Sequence, residues 1–434
     1  MNPKPKILIA STSAGECTGY ARVSWHIVNG LAARGWDVVH FGFQRIMPES
    51  GRAYDERVTV IDVGQMMGDR MSFGESAFPQ IVKAVDPDIV MIYNDCLVIT
   101  SFLQQLRDAG VTPKKLVIYL DLVHDCQIAS LIEPIMNASD MVLVFTPHWK
   151  RSLEMRYGHA TPIVVVPHGI DGFVSPVDQR EARQRLGIPL KGFLIVNSNR
   201  NSYRKALDVT IRVFLEVLAK SDGDVFLFLN CNSQSDSGFD FVDIITHECR
   251  RVGLDSARVL DHHVLRFQNS GFVSDDVVNL LHNASDVGIN TCVGEGFGLC
   301  NAEAALLNKP QLVTKTGGLG DLFGDTAIRP IERLALCRGF IPHGGYMDVP
   351  DSAEFVRRAS FLYLKWKKRG PASLRTEPPF DPATYRWTPI LDALNATLVD
   401  AVVVAVDAVD AVVGVDGVDA VDAVDVDATN PKKP

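Results

Sequence analysis

The sequence predicts an α/β protein made of two doubly wound units, each a largely parallel sheet flanked by helices. Three observations carry that expectation. Short apolar runs alternate with amphipathic stretches as far as residue 166, and the alternation restarts at Phe193. The phrase Asn-Ala-Ser-Asp also occurs twice, at Asn137 and at Asn283, each time ahead of an apolar run.

The elements follow in order. Residues 6–11 read as a short strand, a glycine-containing loop runs to Gly19, and 20–34 has helical periodicity closed by Gly35. Further strands are expected at 38–43, 58–63, 89–93, 116–120, 141–145 and 163–166. The second series runs through 193–197, 225–230, 271–273, 287–290 and 311–314. Pro167-His168-Gly169-Ile170-Asp171-Gly172 sets a turn between the two series and reads as a hinge. Residues 352–368 read as a helix and 367–379 as a basic, proline-rich connection. An amphipathic helix over 385–394 then returns toward the first unit. The expected domains are therefore 1–167 with 380–398 packed back on it, and 168–379.

From residue 399 to 434 the composition narrows to Val, Asp, Ala and Gly. A three-residue period drifts around a helix and specifies no packed face, so this segment is expected to be a disordered, solvated tail. Its eight Asp against Lys432 and Lys433 hold most of the net charge of −9.

At 434 residues and 47% hydrophobic content the chain can bury two ordinary cores. The negative charge argues against a nucleic-acid binder, whose phosphate contacts need a basic face. No apolar run approaches the ~20 residues that span a bilayer, and no signal-peptide core follows Met1. The eight cysteines have no zinc spacing, so reduced thiols in a cytoplasmic protein are expected.

The most informative stretch is Glu295-Gly296-Phe297-Gly298-Leu299-Cys300-Asn301-Ala302-Glu303. It places two carboxylates eight positions apart across a glycine turn between a strand and a helix. Exposed N–H groups at a helix start, with the helix dipole behind them, suit a diphosphate, and glycine lets it approach the backbone. Glu295 and Glu303 would then meet hydroxyls on either side. A second constellation, Arg200-Asn201-Ser202-Tyr203-Arg204-Lys205, follows the first strand of the second series. Ligands of open α/β sheets bind beyond the carboxyl ends of strands, so Arg200 and Lys205 are candidates to clamp the same diphosphate.

Arg200-x4-Lys205, Glu295-x7-Glu303 and Pro167-x-Gly169-Ile170-Asp171 together resemble the retaining GT-B glycosyltransferases of the GT4-type family (glycosyl transferases group 1). The resemblance covers residues 1–398, with the second unit matching best. The chain is also similar to GT4-like enzymes encoded by large algal DNA viruses.

That resemblance implies two facing Rossmann-like domains with a central cleft and a C-terminal crossing helix. It implies transfer of a sugar from a nucleoside-diphosphate sugar to a glycan, lipid or protein-linked acceptor, with retention of configuration. By the resemblance, Arg200 and Lys205 bind the donor diphosphate, Glu303 takes the ribose hydroxyls, and Glu295 contacts the donor sugar. The backbone of Gly296, Phe297, Gly298 and Leu299 lines the sugar and phosphates. The base lies along Phe272 and Val273. Gly15 and Gly19 occupy the first unit's glycine loop, with a spacing that departs from the common form. His124 stands where relatives carry a functional histidine, with Asp121 in reserve. No metal and no cofactor besides the donor are implied.

Two other readings share the fold: a sugar-nucleotide epimerase, and a non-catalytic sugar-nucleotide or glycan-binding relative. A dehydrogenase is disfavoured because Gly15 and Gly19 do not form Gly-x-Gly-x-x-Gly.

Overall fold

The computed structural model describes residues 4–45, 51–158, 160–231, 238–267, 273–336 and 342–413. Seven strands build the first sheet: β1 (Lys6–Thr12), β2 (Asp37–Phe43), β3 (Val58–Asp62), β4 (Ile89–Asp95), β5 (Leu116–Asp121), β6 (Met141–Val144) and β7 (Ile163–Val165). Their spatial order is β3-β2-β1-β4-β5-β6-β7, and every pairing is parallel. The central strands are apolar on both faces because helices cover both, as a parallel sheet requires.

Five strands build the second sheet: β8 (Phe193–Asn197), β9 (Val225–Leu229), β10 (Val264–Leu265), β11 (Val287–Asn290) and β12 (Gln311–Val313). Their order, β10-β9-β8-β11-β12, repeats that of the first five strands of the other sheet. Each sheet therefore reverses its winding once, between β1 and β4 and between β8 and β11. Loops leaving the carboxyl ends at such a reversal splay apart and open a crevice.

The repeated Asn-Ala-Ser-Asp phrase does the same work in both halves. Asn137-Ala138 ends the helix Ala129–Ala138, and Asn283-Ala284 ends the helix Asp275–Ala284. The aspartate that follows accepts a hydrogen bond from an N–H at the start of a neighbouring strand, the first residue of β5 or the second of β8. Asp140 takes it from Leu116 and Asp286 from Leu194, both at 2.8 Å.

Three points differ from or add to these expectations. Of the strand expected at 271–273, Gly271 and Phe272 lie outside the described residues, and Val273 is loop. The edge strand is β10, and Ser274 with Asp275 and Asp276 commits the chain to a helix start instead. The final helix also runs past residue 398, as Trp387–Val413. Once Trp387, Leu391, Leu394 and Leu398 are buried, adding further turns needs no new nucleus, and Val402 still packs on the first core. The remainder of the expected tail, 414–434, lies outside the described residues. Finally, an antiparallel hairpin that the sequence did not announce, β13 (Glu332–Leu336) and β14 (Gly345–Val349), leaves the second unit.

The crossing helix is locked onto the first unit. The Trp387 ring stacks on His26 at 4.2 Å between centroids, and Trp36 Nε1 donates to Asn395 Oδ1 at 2.8 Å. A Cβ on Gly169 of the hinge would meet the Trp387 ring at 2.4 Å. No helix among the described residues is long and apolar enough to cross a membrane.

Candidate active site

The loops after β8 and β11 meet at the reversal point of the second sheet. Lys205 ends a short turn after β8, and its ammonium donates to the Glu295 carboxylate on the loop after β11. Arg204, one residue earlier, donates to the Gly294 carbonyl at 2.6 Å and lies 3.6 Å from the same carboxylate. Asn290 at the end of β11 holds the Glu295 carboxylate from below, at 3.4 Å. Lys205 and Glu295 are both buried. Burial alone would raise the Glu295 pKa, but the Lys205 and Arg204 charges bring it down from 4.5 to about 2. The result is a buried carboxylate kept ionised by two cations, one of which the sequence reading had not singled out.

Glycine makes this loop possible. Gly298 has φ of +96°, where only glycine is unstrained, and it opens the helix Leu299–Leu306. A Cβ on Gly318 would meet the Gly296 carbonyl at 2.3 Å, so a second glycine turn, Gly317-Gly318, interlocks with the first.

Glu303 sits one turn into that helix, 1% exposed, and its nearest partners come from both units. His282 Nε2 lies 3.4 Å away within the second unit. The Arg22 guanidinium, from the helix Gly19–Ala33 of the first unit, pairs with it directly. Arg22 also pairs with Asp275 at 3.1 Å, and Arg52 grips Asp275 at 2.8 Å. Burial opposes the charged form of Glu303, yet the Arg22 charge wins and holds its pKa below the ordinary value.

The first unit supplies the opposite wall through the turn after β5. A Cβ on Gly296 would fall 2.4 Å from Asp121 Oδ1, and one on Gly294 would fall 2.3 Å from the Val123 carbonyl. The two backbones touch where side chains would stand elsewhere. Trp149 Nε1 adds a hydrogen bond to the Gly296 carbonyl at 2.7 Å. The Tyr20 hydroxyl donates to Asp121, and burial pushes the Asp121 carboxyl pKa up. His124 is 2% exposed, and burial with the Arg204 charge lowers its ring pKa to about 4. Its Nε2 is buried without a hydrogen-bond partner among the described residues.

The structure thus brings together Lys205, Glu295, Gly296, Asp121 and His124, with Glu303 on the helix beyond. A Cβ on Gly19 would lie 3.4 Å from Leu299 Cδ1 across the cleft, whereas one on Gly15 would come near Ser13 Oγ alone among the described residues, at 3.9 Å. The Phe297 ring turns away from the cleft to pack on His168 at the hinge, at 4.9 Å between centroids. Arg200 is exposed and makes no ion pair among those described, so it does not stand beside Glu295 as expected. Phe272 lies outside the described residues, and Val273 precedes the helix that carries Asp275. Sequence reasoning missed Arg204, Arg22, Arg52, Asp275 and His282. Only Arg204, adjacent to Lys205, carried a local signal.

No protein-family model matches the chain. Two curated relatives are D-inositol 3-phosphate glycosyltransferases, from Nocardioides sp. and from Acidothermus cellulolyticus. The first is 27% identical over 197 residues, 44% of this chain and 42% of the relative. The second is 26% identical over 236 residues, 52% of this chain and 49% of the relative. The chain spans about half the length of the curated relatives it matches. Among solved structures, sucrose-phosphate synthase from Thermosynechococcus elongatus superposes with a TM-score of 0.63 at 15% identity, covering 92% of this chain and 99% of that one. Anabaena HepE in complex with UDP and glucose gives 0.59 at 18% identity, covering 91% and 100%.

The chain has the GT-B fold. Coverage of nearly all of both partners agrees with the two Rossmann-like sheets given by the strand orders and with the crossing helix packed on the first unit. In this GT-B chain the candidate residues line the face where the two sheets' carboxyl ends oppose each other.

Proposed function

We propose that the chain is a retaining glycosyltransferase that moves a sugar from a nucleoside-diphosphate sugar to an acceptor hydroxyl. One observation carries the reading: the buried Lys205–Glu295–Arg204 cluster lies at the reversal point of the second sheet and faces Asp121 and His124 of the first. Residues 168–379 form the donor unit in this reading, and residues 1–167 with 380–398 form the acceptor side.

Lys205, Arg204 and the helix start at Leu299 neutralise charge on the departing diphosphate, and the exposed Arg200 folds over it from the cleft mouth. Glu303 accepts hydrogen bonds from the ribose, and Glu295 from the donor sugar. The bond from the anomeric carbon to the diphosphate oxygen breaks, and a bond to the acceptor oxygen forms on the same face of the sugar. The acceptor's proton passes to a donor phosphate oxygen. Glu303 is engaged by Arg22 in the structure, so donor entry exchanges that ion pair for ribose contacts. The donor is a substrate, and the reading assigns no separate cofactor or metal. The acceptor is a glycan, lipid or protein-linked sugar. The compartment is the cytoplasm, in keeping with the unpaired described cysteines.

The solved structures of similar fold include complexes with UDP and with UDP-2-fluoro glucose, which makes UDP-glucose the first donor to try. Calorimetric titration with UDP, GDP, ADP, their sugar conjugates and NAD tests the reading. Selective binding of one nucleoside diphosphate supports it; binding of NAD, or of none of them, overturns it. Release of an isomerised sugar nucleotide without any acceptor would favour the epimerase.

A further inference from the structure

The hairpin β13–β14 belongs to the second unit by sequence, yet it docks on the turn of the first unit that carries His124. Tyr346 N donates to the Asp125 carbonyl at 2.9 Å, and Ile128 N donates to the His343 carbonyl at 2.8 Å. Arg333 on β13 pairs with Asp125 at 3.0 Å and with Asp348 at 2.7 Å. On its other side the hairpin is tied to the Glu295 loop, through Asp348 N and the Val293 carbonyl at 2.9 Å. Contact with His124 is too close for a side chain: a Cβ on Gly345 would lie 3.0 Å from His124 Cβ and 2.6 Å from the Asp125 carbonyl.

His124 Nδ1 meets the Tyr346 carbonyl oxygen at 3.1 Å. A carbonyl oxygen can only accept, so the proton of the neutral ring must sit on Nδ1. Nε2 then keeps its lone pair, and it is the ring atom left buried without a partner among the described residues.

We propose that the hairpin is a positioning element for His124: the Tyr346 carbonyl holds the ring as the Nδ1-protonated tautomer and presents Nε2 as a hydrogen-bond acceptor for the bound donor. The role given to Nε2 rests on the transferase reading, whereas the tautomer does not. Because the carbonyl comes from the second unit, the ring is set only when the two units touch. Closure and preparation of His124 are one event. The groups facing the ring are Arg204 from the turn after β8, Asp125 beside it, and His343 next to the hairpin's second strand; Arg204 and His343 disfavour the imidazolium, while Asp125 favours it. Arg333 acts through Asp125 and is a positioning residue.

The test is nitrogen NMR of the full chain labelled at histidine, with His124 assigned from His124→Gln. At neutral pH the wild type is expected to show Nδ1 protonated and Nε2 bare. In Arg333→Ala the signals are expected to shift toward a mixture of tautomers, with Arg333→Lys restoring the wild-type pattern. UDP release from UDP-glucose is expected to fall on the order of tenfold or more in Arg333→Ala with UDP affinity retained. A wild-type ring protonated at Nε2, or a pattern unmoved by Arg333→Ala, would overturn the proposal. Failure of UDP-glucose to turn over in any variant would count against the transferase reading alone, since the tautomer is read without turnover.

Discussion

Arg22 and Glu303 form an ion pair across the cleft, joining residues 281 positions apart in the chain. The carboxylate assigned to the donor ribose is thus held by the opposite unit. Asp275 and Arg52 extend the contact into a four-membered ionic cluster. Such a pair favours the arrangement in which the units touch, and on the proposed reading the donor would compete with it.

Replacing Arg22 by Met is expected to strengthen UDP binding by about tenfold, because the fraction of molecules able to accept the nucleotide rises. The same variant should be less stable without ligand, since Glu303 stays buried and keeps only His282 beside it; loss of one partner of a buried pair typically costs about 3–5 kcal/mol. Calorimetry and thermal melts with and without UDP check both halves. Weaker UDP binding in Arg22→Met would show instead that Arg22 contacts the nucleotide.

Arg204 and Arg200 are expected to differ in what they control. Arg204 is fixed against Gly294 and Glu295, so Arg204→Met should lower turnover of bound donor by about 10²–10³-fold, the usual loss when a preorganised donor to developing charge is removed. Arg200→Ala should act on UDP affinity, because its side chain is exposed and makes no ion pair among the described residues. Glu303→Ala should weaken UDP binding with the fold intact. Steady-state kinetics beside calorimetry separates these; unchanged nucleotide binding in both Arg200→Ala and Glu303→Ala would remove the site assignment.

Closure should depend on Gly294. An alanine there puts a methyl group 2.3 Å from a backbone carbonyl of the facing unit, which cannot move aside as a flexible side chain would. Gly294→Ala is expected to hold the units apart, cutting turnover about 10²-fold, while UDP affinity is not lost and rises in the direction expected for Arg22→Met. X-ray scattering should show a larger radius of gyration. An unchanged radius together with unchanged turnover would refute the closed-cleft account.

Acid should destabilise the protein in two stages. Burial holds His26, His40 and His168 at about 3, and His124 at about 4, all below the ordinary 6.5. The unfolded chain therefore binds more protons than the folded one once pH falls below about 6.5. Stability is full above that point and declines as pH drops toward the folded values, with each histidine approaching about 1.4 kcal/mol per pH unit. Glu295, lowered from 4.5 to about 2, adds its own loss only below about pH 4.5. Urea unfolding at a series of pH values checks this, and a flat midpoint between pH 7 and pH 5 would contradict the first stage.

Much of the architecture was legible in the sequence because it is written in short-range patterns. Apolar runs bounded by Gly, Pro and Asp set β1, β8 and β11 within a residue or so, and the repeated Asn-Ala-Ser-Asp marked equivalent helix ends. The hairpin β13–β14 escaped notice because the described side chains of β13 are exposed and the one buried residue of β14 is an aspartate, Asp348, so neither strand shows an apolar alternation. Val273, the one described residue of the strand expected at 271–273, is loop because the helix N-cap Ser274 follows it at once.

By itself, the sequence determined two doubly wound units, the strand-to-helix turn with Glu295 and Glu303, and Lys205 on the loop facing it. Periodicity, turn residues and caps act over a few neighbouring positions, so one chain suffices to read them. Only the tertiary structure decided that Arg204 rather than Arg200 stands beside Glu295, that Arg22 holds Glu303, and that Tyr346 meets His124 from 222 positions away. Those pairings depend on how two separately specified sheets face each other, and no local pattern records that geometry.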